Sequence, residues 1–244
     1  MKNIKLTVAY DGTHYLGWQK TIAGPSIEAA LEEALSQVLQ HPLKLQAASR
    51  TDAGVHAEGQ VVNFFTDSPL SLERMKKSFN ALLPAEIRIV QIEEMPSAFH
   101  PTLDAVGKEY HYEVCLGPVQ LPFDARISWH FVKPVNLEEM RKSTKILIGK
   151  HNFSALTNER QEDTIREIYR IDIEEISLGR IRICVAGNRF LYKMVRNVVG
   201  TLLYVGCGML TLEGVAALLV SGNRSEAGMT APAHGLSLKQ VFYD

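Results

Sequence analysis

The stretch ASRTDAGVHAEGQ, residues 48–60, gathers Arg50, Thr51, Asp52 and His56 between the apolar-alternating PLKLQA and the strand-like QVVNFF. An Asx-type turn at Asp52-Ala53-Gly54 needs only small polar residues, so a plain turn leaves Arg50, Thr51 and His56 unexplained. A single ionised carboxylate can act as a nucleophile or a general base, and a neighbouring guanidinium lowers its pKa and keeps it charged. A partner for Asp52 is available in RFLYKMVRNVVGTLLYVG. Its period predicts a long helix from Arg189, with Phe190, Leu191, Met194, Val195, Val198, Val199 and Leu202 on a wide apolar face. Arg189, Lys193, Arg196, Asn197 and Gly200 then form a narrow polar stripe. Arg196 stands between Met194-Val195 and Val198-Val199, which predicts a partly buried guanidinium that needs an anion. Tyr110 and Tyr112 in GKEYHYEV share one face of a strand. Such a pair is ordinarily core packing, but on a face lining a cleft one ring could stack on a nucleobase.

Other chemistries lack their residues. The histidines form no H-E-x-x-H and no Cys-His pairing at ligand spacing, so no metal is expected. Cys115, Cys184 and Cys207 are odd in number and far apart in apolar contexts, which suits buried reduced thiols. No phosphate-binding glycine motif and no nucleophile elbow occur, so no nucleotide cofactor is expected. The net charge of -1 gives no global sign of nucleic-acid binding, although the arginines concentrate in the second half of the chain. With 46% hydrophobic residues, no membrane-length apolar run and no signal peptide, the expectation is a soluble cytoplasmic protein.

The elements that must hold these residues follow from pattern. Ile4, Leu6, Val8 and Tyr10 alternate as a strand. Ser26 caps a helix to about residue 40; strands follow near 42–48 and 60–65. A helix from Ser71 places Leu72, Met75, Phe79 and Leu82 on one face and stops at Pro84, before the strand EIRIVQIEEM. This is the split ferredoxin-like order βαββαβ. The second half repeats it distantly: GKEYHYEV, ISWHFV, a helix opened by Asn136 with Glu139, strands TIREIYRIDIEEI and RIRICVA, the helix from Arg189, a shorter helix from Leu212 and a last strand GLSLKQVFY. The expected fold is α+β, with ferredoxin-like halves at 1–100 and 101–244 whose sheets join around a central cleft.

Six ordered blocks carry a resemblance: YDGTHYLGWQ, SRTDAGVHA, KEYHY, GKHNFSA, NRFLYKMVRNVVGTLLYVGCG and APAHGLSL. Spread over nearly the whole chain, they resemble the TruA family of tRNA pseudouridine synthases. The resemblance implies a cofactor- and metal-free homodimer that isomerises uridine to pseudouridine at positions 38, 39 and 40 of the tRNA anticodon stem-loop. It implies Asp52 as the catalytic nucleophile, with three substrate-binding residues. Of these, Arg50 takes the space of the flipped base, Tyr110 packs on the target base and Arg196 pairs with Asp52. Ser49 stands where the family usually has glycine, Lys108 where it has arginine and Asn152 where aspartate is common, and PTLDAV replaces a more basic run. These departures bear on RNA affinity. The same residues also admit a non-catalytic RNA-binding protein or a hydrolase that frees uracil.

Overall fold

The computed structural model covers residues 1–244, which divide into two compact units, 1–106 with 237–244, and 107–236. The first contains β1 (Lys2–Tyr10), α1 (Ile27–Leu39), β2 (Gln46–Ala47), β3 (His56–Thr66), α2 (Leu72–Leu82) and β4 (Ile87–Met95). Its strands lie in the order β4-β1-β3, all antiparallel, with β2 paired on β3. This is the split βαββαβ arrangement. The alternation in β1 buries Ile4, Leu6 and Val8, which form the core with Ile27, Leu31 and Leu35 of α1 and Met75 and Phe79 of α2. Each such side chain contributes roughly 1.5–3 kcal/mol on burial. The helix starts follow the predicted caps: Ser26 accepts from Ala29 N–H and Ser71 from Arg74 N–H. The predicted face of α2 holds at Met75 and Phe79, whereas Leu82, in its last position, is exposed.

The second unit contains β5 (Ala105–Cys115), β6 (Trp129–His130), α3 (Leu137–Leu147), β7 (Gly149–Asn152), β8 (Ile165–Ser177), β9 (Arg180–Gly187), α4 (Met194–Gly206) and α5 (Leu212–Ser221). Here the order is β5-β9-β8-β7, antiparallel throughout, with β6 running parallel on β5. The path β5-β9-β8 repeats the path β1-β3-β2 of the first unit. Asn136 caps α3 by accepting from the Glu138 and Glu139 N–H groups. Cys115 and Cys184 are buried free thiols and Cys207 is partly exposed. Burial and the neighbouring Glu174 and Glu109 push the Cys184 thiol up to about 12. No helix is long and apolar enough to cross a membrane.

Three expectations change. The helix expected from Arg189 begins at Met194, behind Lys193 in the left-handed region at φ +59. Residues 188–192 are drawn elsewhere. Asn188 exchanges bonds with the edge of β8, accepting from Glu167 N–H at 3.0 Å and donating to Glu167 O at 3.0 Å. The Tyr192 carbonyl accepts from Thr157 Oγ1 at 3.2 Å and is lost to the helix. Arg189 and Lys193 therefore leave the predicted stripe, while Arg196, Asn197 and Gly200 stay on α4. The segments near 42–48 and ISWHFV shrink to the two-residue strands β2 and β6. The last strand, β10 (Leu236–Tyr243), runs parallel to β3 through Ser237 and Leu238, opposite His56 and Ala57, so its residues from Ser237 group with the first unit.

Candidate active site

Asp52 lies in the loop between β2 and β3, and its side chain is half-buried. The loop is fastened by backbone. Trp18 N–H donates to Thr51 O at 3.0 Å, Gly54 N–H donates to Tyr15 O at 3.2 Å, and Val55 N–H closes the turn on Asp52 O at 3.1 Å. Gly54 takes φ +78, so the Asp-x-Gly sequence serves the turn itself. Gly17 has φ +93, and a Cβ there would stand 2.7 Å from Thr51 O and 3.0 Å from the Asp52 carbonyl carbon. The segment 10–18 thus wraps the aspartate loop with its main chain.

Side chains complete the cradle. Tyr10 and Thr51 hydroxyls lie 2.8 Å apart, and Gln60 Nε2 donates to Ser49 O at 2.6 Å. Gly12 N–H donates to His56 Nδ1 at 3.1 Å, which gives His56 the ordering of the loop. Arg50 is exposed beside this frame. Its position at the loop rim leaves the guanidinium accessible to an anion.

Tyr110 and Arg196 belong to the second unit. Tyr110 on β5 is 6% exposed and meets Phe190 edge-on at 5.3 Å, so one edge of the ring is fixed by packing. Tyr112 is fully buried, donates to Pro232 O at 2.8 Å and has its pKa raised by burial against a lowering influence from Arg196. Arg196 occupies the first turn of α4. Its Nε donates to Ala231 O at 2.7 Å while Ala231 N–H returns a bond to Arg196 O at 3.1 Å. Lys108, near the start of β5, has its pKa lowered to about 8 by burial and by the charge of Arg189.

The segment holding Arg196 is locked from behind by Arg224. Its guanidinium donates to Gly228 O, Asn197 Oδ1 and Thr230 Oγ1, each at 2.9 Å. Asn197 is fully buried and donates to Leu156 O at 2.9 Å and Asn158 Oδ1 at 2.8 Å. Sequence reasoning missed Arg224. Its only local signal is an arginine in a glycine-flanked loop; Gly228 and Thr230 are close in the chain, but the buried Asn197 that ties the loop to α4 is distant.

A family model described as tRNA pseudouridine synthase matches residues 6–103 and 144–244. The chain belongs to the tRNA pseudouridine synthase family. It is therefore an isomerase acting on uridine in tRNA. Across its full length it is 51% identical to "tRNA pseudouridine synthase A 2" of Protochlamydia amoebophila, covering 95% of that protein. It is 40% identical to "tRNA pseudouridine synthase A" of Syntrophotalea carbinolica, covering 100% of this chain and 97% of the relative. To the enzyme of that name from Bacillus pumilus it is 39% identical, covering 99% of each. Arg50, Asp52 and Arg196 fall within the residues matched to the synthase family, and Tyr110 falls between its two matched segments. Membership also removes the reading of the chain as a non-catalytic RNA-binding protein.

Proposed function

We propose that the enzyme forms pseudouridine at positions 38, 39 and 40 of the tRNA anticodon stem-loop, with Asp52 as nucleophile on an extruded uridine. The N1–C1′ bond breaks, the retained uracil turns, C5 bonds to C1′, the C5 proton passes to solvent and N1 gains one. Nothing is added or lost, so the reaction balances without a co-reactant. Asp52 attacks C1′ or removes a sugar proton; both routes need an ionised carboxylate held still. Arg196 serves as its ion-pair partner, Tyr110 packs on the target base, and Arg50 fills the space the base leaves, offsetting an unpairing cost of a few kcal/mol.

The observation that carries this reading is the anchoring of the loop around Asp52 through the Trp18–Thr51 and Gly54–Tyr15 backbone bonds. A carboxylate so held is preorganised, whereas a plain surface turn has no use for that support. A homodimer in the cytoplasm completes the proposal; Val119, Leu121 and Phe123, exposed together in one loop of the second unit, are apolar surface suited to a second copy. The test is tritium release from tRNA labelled at uridine C5. Asp52→Asn abolishes release while tRNA binding stays within about tenfold, ~1.4 kcal/mol. Turnover by a folded Asn variant would remove Asp52 from the chemistry, and a change in tRNA mass would point to excision of uracil instead.

A further inference from the structure

On the face of the second unit's sheet opposite Tyr110 and Tyr112, three side chains of different chemistry meet. His111 on β5 and Cys184 on β9 are direct cross-strand partners, and Glu109 lies two residues from His111 on the same face. The Glu109 carboxylate, an imidazole nitrogen of His111 and Cys184 Sγ all lie within 4.8 Å of one another. His111 Nε2 is 2.7 Å from Glu109 Oε1. The other carboxylate oxygen, Oε2, accepts from Arg170 at 3.0 Å, and Arg170 Nε also reaches Asp172 Oδ2 at 3.0 Å. Asp172 is in turn the cross-strand partner of Cys184.

We infer that Glu109, His111 and Cys184 form a binding site for a divalent zinc-like cation. A thiolate, an imidazole and a carboxylate are the donor set that Zn²⁺ takes, with bonds of about 2.0–2.3 Å. Tetrahedral bonds of that length set donors roughly 3.5 Å apart, so side-chain rotation draws in the wider separations, all within 4.8 Å, and opens the 2.7 Å His111–Glu109 hydrogen bond, which the cation replaces. Arg170 steadies the Glu109 oxygen that is turned away from His111, the kind of outer support that fixes ligand orientation in metal sites. A fourth position remains for water. Binding displaces the thiol proton of Cys184 to solvent as the Zn–S bond forms, with no redox change. The opposing reading is a purely ionic chain, His111–Glu109–Arg170–Asp172, with Cys184 as packing. It predicts no cation affinity.

This site uses none of the catalytic residues proposed above, and its readouts do not depend on turnover. The full-length protein, stripped with chelator, is titrated with Co²⁺ under reducing conditions and then with Zn²⁺. Expected are the thiolate-to-cobalt charge-transfer band, one equivalent of metal per chain, release of about one proton per metal and a rise in Tm. Cys184→Ser removes the charge-transfer band, His111→Gln weakens binding at least tenfold, and Cys115→Ser and Cys207→Ser leave both unchanged. Absence of the band in the parent protein, or its persistence in Cys184→Ser, overturns the site. If Cys184→Ser does not fold, His111→Gln decides: unaltered metal binding by that folded variant overturns the inference equally.

Discussion

Replacing Gly17 with alanine tests whether the main chain of residues 10–18 is what holds Asp52 in place. Gly17 has φ +93, and the added Cβ would lie 2.7 Å from Thr51 O, 3.0 Å from the Asp52 carbonyl carbon and 3.1 Å from Ala53 N. Holding a side-chain-bearing residue at such a φ costs of order 1–3 kcal/mol. Ordinary C···O contact is about 3.3–3.6 Å, so the carbonyl before Asp52 must also retreat by more than about 0.5 Å. The Trp18–Thr51 bond at 3.0 Å lengthens with it. About 2 kcal/mol of destabilisation corresponds to a Tm lowered by ~4–8 °C in a chain of this size. Displacing a reacting group by up to 1 Å can cost about 10²-fold, so kcat falls roughly 10–100-fold while tRNA affinity changes little. Single-turnover tritium release, filter binding and thermal denaturation of the same preparations measure all three. A Gly17→Ala enzyme with parental kcat and Tm would falsify the claim that this wrap positions the carboxylate.

Arg196→Met loses the Ala231 bond and the guanidinium, and is expected to remain folded by near-ultraviolet circular dichroism yet release no tritium; full activity would break the proposed pairing with Asp52. Arg224→Met removes the guanidinium donor to Gly228 O and Thr230 Oγ1 and one of two donors to Asn197 Oδ1, which keeps the Thr230 hydroxyl at 2.7 Å; a buried acceptor left without a donor costs about 1–3 kcal/mol. Urea denaturation should show that loss, and kcat should fall more than KM rises. Lys108, with its pKa lowered to about 8, makes the folded state bind fewer protons than the unfolded state at higher pH. Its contribution to stability is therefore unfavourable below pH ~8 and is relieved as pH climbs toward the ordinary lysine value near 10.4, a rise that Lys108→Met flattens in denaturation measured against pH. Above pH ~8 the neutral amine also loses attraction for phosphate, so Lys108→Arg should bind tRNA like the parent at pH 7 and more tightly at pH 9 in filter binding.

Much of the fold was legible because it is written locally. Ser26, Ser71 and Asn136 announce their helices, since each supplies an oxygen to N–H groups two or three residues on. The alternation of Ile4, Leu6 and Val8 likewise states which face of β1 is buried. The start of α4 was not legible, because its outcome depends on Asn188 bonding to β8 and on Thr157 claiming the Tyr192 carbonyl. Helical period alone cannot weigh those distant competitors. The placement of β10 was hidden for a related reason: GLSLKQVFY names a strand and says nothing of its neighbour, and the parallel pairing with β3 joins residues far apart in the chain.

The candidate site divides along the same line. The side chains proposed to act through their own chemistry, Asp52, Arg50, Arg196 and Tyr110, show themselves by type and by company. Part of what holds them, the wrap of residues 10–18 on the Asp52 loop, acts through the main chain, and such contacts appear in a sequence only as the absence of a side chain. Gly17 is such a trace: its lack of a Cβ has no meaning until Thr51 is brought against it. Glu109, His111 and Cys184 hid in a third way, since metal-ligand motifs are recognised by spacing along one segment and these donors converge across two strands through register. The period-two spacing of Glu109 and His111 was the one visible clue, because it puts both on a single face of β5 and asks what the strand beside them presents there. What β9 presents there is a thiol, and register alone decides it: a shift of one residue would turn Cys184 into the core and leave the carboxylate and imidazole facing an aliphatic side chain.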